Sequence, residues 1–149
     1  MVPTVEWKNG AVRLLDQSRL PETVEFIDCH DYKTVADAIR TLKVRGAPAI
    51  GVTAAMGVAL GARTIATTDY PSFARAVLAV CDELAATRPT AVNLFWAIGR
   101  MRRKLESLQG QSVSTIQQVL ISESQTILEE DIALCKTMGR HGAGLIQDG

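Results

Sequence analysis

One arginine followed by an uncharged run of glycine, alanine and proline, VRGAPAIGVTAAMGVALGA, stands in the first half of the sequence. From residue 46 to residue 62 no side chain is charged, and four glycines interrupt the run. A membrane span needs about 20 predominantly apolar residues, so this run is too short and too rich in glycine to be one. A helix that is apolar all round belongs at the centre of a domain, with other helices on several sides. Gly51, Ala55 and Ala59 recur every fourth residue, as do Gly57 and Gly61. Residues at that spacing share a helix face, and small ones let a neighbouring backbone come close. Pro48 suits the first turn of this helix, where its missing N–H is not needed.

The rest of the chain supplies what must pack around such a hub. Asn9-Gly10 separates two short apolar runs, and Asn-Gly is the strongest short hairpin signal. Residues 4–8 and 11–16 are therefore expected to pair as strands, and the alternating segment 22–29 to add a third. A helix opening at Thr34, with Asp37 close to a capping box, carries Val35, Ala38, Ile39 and Leu42 as its apolar stripe and is expected to stop at Gly46. A third helix is expected from about Pro71 to Arg88. A fourth should bury Val92, Phe95, Trp96 and Ile98, and its basic tail RMRRK reads as a solvated helix end. The last pattern, residues 113–139, makes a helix of about 40 Å, long enough to reach beyond a small domain. The fold class is thus α+β: a small three-stranded antiparallel sheet, then a bundle of about five helices. The closing segment HGAGLIQDG sets helix-stop glycines at 142 and 144, the approach to a strand at Leu145-Ile146 and a turn at Asp148-Gly149. It reads as a domain boundary inside a longer polypeptide.

Composition narrows the function. Sixteen basic residues balance sixteen acidic ones, which argues against nucleic acid or an anionic membrane as partner. Three separated cysteines, Cys29, Cys81 and Cys135, in no metal-binding spacing, argue against a disulfide framework and a zinc site and fit a reducing cytoplasm. Each is expected to be a buried small hydrophobe. His30 and His141 read as exposed or capping positions. Walker, dinucleotide and nucleophile-elbow motifs do not occur in the sequence.

What remains is VRGAPAIG. A helix start presents unpaired N–H groups and a partial positive charge. Gly46 and Ala47 leave the backbone open to a ligand, and the Arg45 guanidinium can grip a phosphate in two bonds. Together these make an anion site. The same residues equally suit a tight helix–helix corner with Arg45 in a structural ion pair. TRPTAVNL repeats the arrangement, with Arg88 before Pro89 at another helix start.

The segments VEWKNGAVRLLDQSRLP, VRGAPAIGVTAAMGVALGA and RPTAVNLFWAI, in this order and at these separations, resemble the methylthioribose-1-phosphate isomerase family. Its wider membership includes ribose-1,5-bisphosphate isomerases and the regulatory subunits of the eukaryotic initiation factor 2B exchange factor. The resemblance covers nearly the whole chain. It implies that residues 1–149 are the N-terminal domain of a two-domain enzyme whose Rossmann-like C-terminal domain follows. It implies that Arg45, Gly46, Ala47 and Arg88 bind a sugar phosphate, and that the catalytic cysteine and aspartate lie downstream of Gly149. No metal or organic cofactor is implied, and the full-length parent is expected to be a homodimer. The activity implied is an aldose–ketose isomerisation of 5-methylthioribose 1-phosphate in methionine salvage. Alternatives are another sugar-phosphate isomerase, a non-catalytic regulatory subunit, and a self-sufficient helical interaction domain.

Overall fold

The computed structural model describes residues 3–146. Strands β1 (Val5–Lys8), β2 (Ala11–Leu15) and β3 (Phe26–Cys29) form one antiparallel sheet in the order β1-β2-β3. Asn9 and Gly10 both have positive φ, 51° and 77°, which a two-residue hairpin requires, and the register Lys8↔Ala11 follows from it. β3 is shorter than expected. Its pairing with β2 starts at Leu15↔Phe26, where β2 ends; beyond it only the Glu25 carbonyl accepts the Asp16 N–H, at 2.9 Å, and residues 22–24 have no ladder to join.

Five helices follow: α1 (Tyr32–Arg40), α2 (Ala47–Arg63), α3 (Tyr70–Ala85), α4 (Val92–Ser107) and α5 (Val113–Ala143). α2 is the hub. Every residue from Ile50 to Ala62 is buried, and α2 touches each other helix as well as β1 and β2. Its small residues make this packing feasible: a Cβ on Gly57 would fall 2.9 Å from Val35, and one on Gly61 2.8 Å from Val80. Its C-terminal end is tied down twice. The Gln117 amide donates to the carbonyls of Ala62, Arg63 and Ile65 at 2.9–3.3 Å, and Arg63 reaches the Gly10 carbonyl in the hairpin.

Several local expectations are corrected. α1 is capped by Asp31 rather than opened by Thr34: the Thr34 amide donates to the Asp31 carboxylate at 2.8 Å. α1 ends before Gly46. Lys43 N–H donates to Ala38 and Leu42 N–H to Ile39, with Leu42 itself at φ 60°, so a leucine takes the left-handed position of a Schellman stop. In α4 only Ile98 of the expected stripe is buried, and Val92, Phe95 and Trp96 are exposed. The buried face is Leu94, Ala97, Ile98, Met101 and Leu105, which stays apolar for the whole helix; the rival stripe runs out at Gly99 and Arg103. α5 buries Val113, Ile116, Leu120, Ser124 and Ile127, and from Ile132 onward its residues are exposed. Cys135 is therefore exposed, unlike Cys29 and Cys81. The helix passes Gly142 and is capped at Gly144; Leu145 and Ile146 turn back onto Gly142 and Ala143 and form no strand. The expected turn at Asp148-Gly149 lies outside the described residues. No helix among the described residues is long and apolar enough to cross a membrane.

Candidate functional site

Three of the five helices close their N-terminal ends with a side chain: Asp31 caps α1, Asp69 caps α3 and Ser112 caps α5. The other two do not. α2 is preceded by Gly46 at φ 94°, and α4 by Ala91, and neither cap has a side-chain bond. Pro48 has no N–H to give. Among the described residues, the amides of Ala47, Ala49, Val92 and Asn93 donate to no protein group. A helix start left open in this way carries the amides and the partial charge that bind an anion.

The two open starts lie against each other. An ideal Cβ on Gly51, one turn into α2, would sit 2.7 Å from the carbonyl oxygen of Asn93, in the first turn of α4. An arginine stands just before each start. Arg45 is exposed; its Nε donates to the Leu42 carbonyl at 3.1 Å, and its own carbonyl accepts from Gln17 at 3.3 Å. Arg88 is half-buried, and its carbonyl accepts the Ala91 N–H at 3.0 Å. Neither arginine forms an ion pair among the described residues, so the structural ion pair that a helix corner would have used is not made. Gly46 and Ala47 are exposed, and a Cβ at residue 46 would meet nothing within 4 Å. Glycine is required there by the backbone angle, not by crowding.

A cavity of about 410 Å³ opens from these first turns toward α5. Pro48, Val92, Trp96 and Leu134 give it an apolar wall, and Glu130 and Asp131 an acidic edge. The motif reading missed this cavity. Its signal in the sequence is the face of α4 that carries Val92 and Trp96, which faces the cavity and not the core. Arg100 holds the acidic edge in place. It binds Glu123 at 2.7 Å, pairs with Glu130, and lies 5.7 Å from the centre of the Trp96 ring. Arg100 keeps the Glu130 carboxyl below its ordinary value. Burial works to raise Glu123, but hydrogen bonds from Lys104 and Arg100 hold it low.

None of the three cysteines lines the cavity. Burial pushes the thiols of Cys29 and Cys81 up to about 11, and Cys135 stands on the exposed end of α5. His30 and His141 are exposed. Among the described residues no three His, Cys, Asp or Glu side chains converge as metal ligands.

Comparison with known proteins supplies the lineage. The chain is 56% identical over 146 residues to the methylthioribose-1-phosphate isomerase of Geobacter metallireducens, which covers 98% of this chain and 42% of that protein. It is 50% identical to the enzyme of the same name from Syntrophotalea carbinolica over 99% of this chain and 43% of that protein. The crystal structure of 5-methylthioribose 1-phosphate isomerase from Pyrococcus horikoshii superposes on the whole chain with a TM-score of 0.95 at 35% identity, using 42% of its own length. The delta subunit of translation initiation factor eIF-2B from A. fulgidus does so with a TM-score of 0.89 at 39% identity, using 43% of its length. The chain thus spans less than half the length of these relatives. Residues 43–149, which hold both open helix starts, match the model of the initiation factor 2 subunit family, and the chain belongs to that family.

Proposed function

We propose that residues 1–149 form the N-terminal, substrate-holding domain of a sugar-phosphate isomerase that converts 5-methylthioribose 1-phosphate to 5-methylthioribulose 1-phosphate. In this reading the substrate's phosphate is held by the Arg45 guanidinium, the amides of Gly46 and Ala47, and Arg88. The observation that carries it is the pair of open helix starts, each with an arginine free of ion pairs beside it. The names of the relatives from Geobacter metallireducens and Pyrococcus horikoshii supply the substrate.

An aldose–ketose isomerisation moves hydrogen between C1 and C2, and the phosphate on the anomeric carbon blocks simple ring opening. A cysteine and an aspartate in the region that follows would handle these protons. This domain would hold the phosphate in register with them. The reaction calls on no metal or organic cofactor, runs in the cytoplasm as part of methionine salvage, and belongs to a homodimeric full-length enzyme.

Arg45→Ala in the full-length enzyme tests the site. Losing a hydrogen bond to a charged group costs about 1.5–3 kcal/mol, roughly ten- to a hundredfold in kcat/KM, with KM raised. Unchanged kinetics would remove Arg45 from the site. The likeness to the archaeal eIF-2B delta subunit favours a second reading, a regulatory subunit that binds a phosphorylated metabolite without turning it over. A panel of sugar phosphates, including ribose 1,5-bisphosphate, separates the two by whether any member is isomerised.

A further inference from the structure

We propose that Gly51 is a positioning residue for phosphate binding: it sets the distance between the two open helix starts. The inference rests on the reading that these starts grip the substrate's phosphate.

The three glycines inside α2 face different kinds of neighbour. A Cβ on Gly57 would meet the methyl ends of Val35 and Leu84, and one on Gly61 those of Val80. Such side chains can change rotamer or tilt. A Cβ on Gly51 would lie 2.7 Å from the Asn93 carbonyl oxygen and 3.3 Å from its carbon, with the Ala97 methyl at 3.5 Å. A helical carbonyl cannot swing aside without moving its helix. Any larger residue at 51 must therefore push α4 away from α2 by several tenths of an ångström. The displaced parts are the first turns that present the free amides of Ala47, Ala49, Val92 and Asn93. N–H···O bonds keep their strength over only about half an ångström, from 2.7 to 3.2 Å. An anion bridging both starts would then keep its bonds to one and lose those to the other.

The test uses the full-length enzyme, with inorganic phosphate as competitive inhibitor and KM for the sugar phosphate as readouts. Gly51→Ala should raise both Ki and KM by about tenfold. Gly57→Ala, which crowds the same helix against side chains, should lower the melting temperature while leaving Ki and KM within about twofold. Equal rises in Ki for both variants would reduce the effect to general softening and overturn the proposal, as would an unchanged Ki in Gly51→Ala. Should Gly51→Ala not fold, Ala97→Ser thickens the same seam by one atom, and an unchanged Ki there overturns the proposal as well. Arg45→Ala, measured alongside, keeps the two ideas apart. If it raises Ki and Gly51→Ala does not, the phosphate site stands and the spacing role falls. If Arg45→Ala changes nothing, the phosphate reading itself fails.

Discussion

Asp31 fixes the first residue of α1, and its chemistry gives the molecule one of its acid-sensitive joints. Its carboxylate accepts from the Thr34 amide at 2.8 Å and from the Thr34 hydroxyl at 2.9 Å. The Thr34 amide is the main cause that holds this carboxyl below its ordinary value; burial opposes it, and the Thr34 hydroxyl and Lys33 add to the lowering. A carboxylate with a lowered native pKa contributes stability above its unfolded pKa, near pH 4, and loses it as pH falls through the native value. Asp31→Ala should therefore cost about 1 kcal/mol at pH 7. The gap between wild type and variant should narrow below about pH 4. Urea midpoints at pH 7 and pH 3 check both halves; a gap that is the same at both pH values would mean the capping bond does not need the charged form. In the sequence Thr34 looks like the cap because Asp37 follows it three residues on. Asp31 precedes Thr34 by the same interval, and burial of Val35 and Ala36 requires a helical turn already in place before them.

At the scale of elements, what was legible is what depends on local pattern alone. The Asn9-Gly10 hairpin and the buried hub α2 could be read because each is specified by its own residues: two positive φ angles in one, an uncharged helix in the other. The buried face of α4 was not, since two apolar stripes compete over its first two turns and only the packing against α2 and α5 decides between them. That α5 reaches beyond the bundle was legible from its length, but the exposure of Cys135 on that end was not. Ile132, Leu134 and Met138 have helical spacing, but no neighbouring element extends far enough to cover them. Where α5 is held, Val113, Ile116, Leu120 and Ile127 pack into the core, and Arg100 adds a clamp through Glu123 and Glu130. Glu123 has only 11% of its side chain exposed, so removing its partner lies between the exposed and buried limits for ion pairs. Arg100→Met should cost about 1–2 kcal/mol, with Lys104 still at 2.9 Å from Glu123 to soften the loss. Hydrogen exchange should then quicken in α5 around residues 123–130 and stay slow in α2. Equal quickening in α2 would mean that the clamp supports the whole bundle and not one helix.

For the whole molecule, the proposed function puts binding in this domain and chemistry in the region that follows. The two open helix starts were legible from VRGAPAIG and TRPTAVNL because helix starts announce themselves by proline, glycine and arginine. The cavity beside them was not, because α5 crosses from far along the chain to make its acidic edge. An isomerase must both hold its substrate and move hydrogen between adjacent carbons, and the second task needs an acid–base pair within reach of C1 and C2. Around this cavity the described residues offer two carboxylates, Glu130 and Asp131, and Glu130 is already committed to Arg100. The buried thiols, with pKa values pushed to about 11, are protonated at neutral pH and closed off from the cavity by the core. A polypeptide of residues 1–149 alone should therefore give no ketose product from 5-methylthioribose 1-phosphate. The same residues joined to the region their relatives carry after them should turn it over at a rate that Arg45→Ala depresses. Product formation followed by NMR distinguishes the cases. Turnover by residues 1–149 alone would place an acid–base pair in this domain and make Asp131 the first residue to replace. An inactive full-length protein that still binds the sugar phosphate would instead favour the regulatory reading.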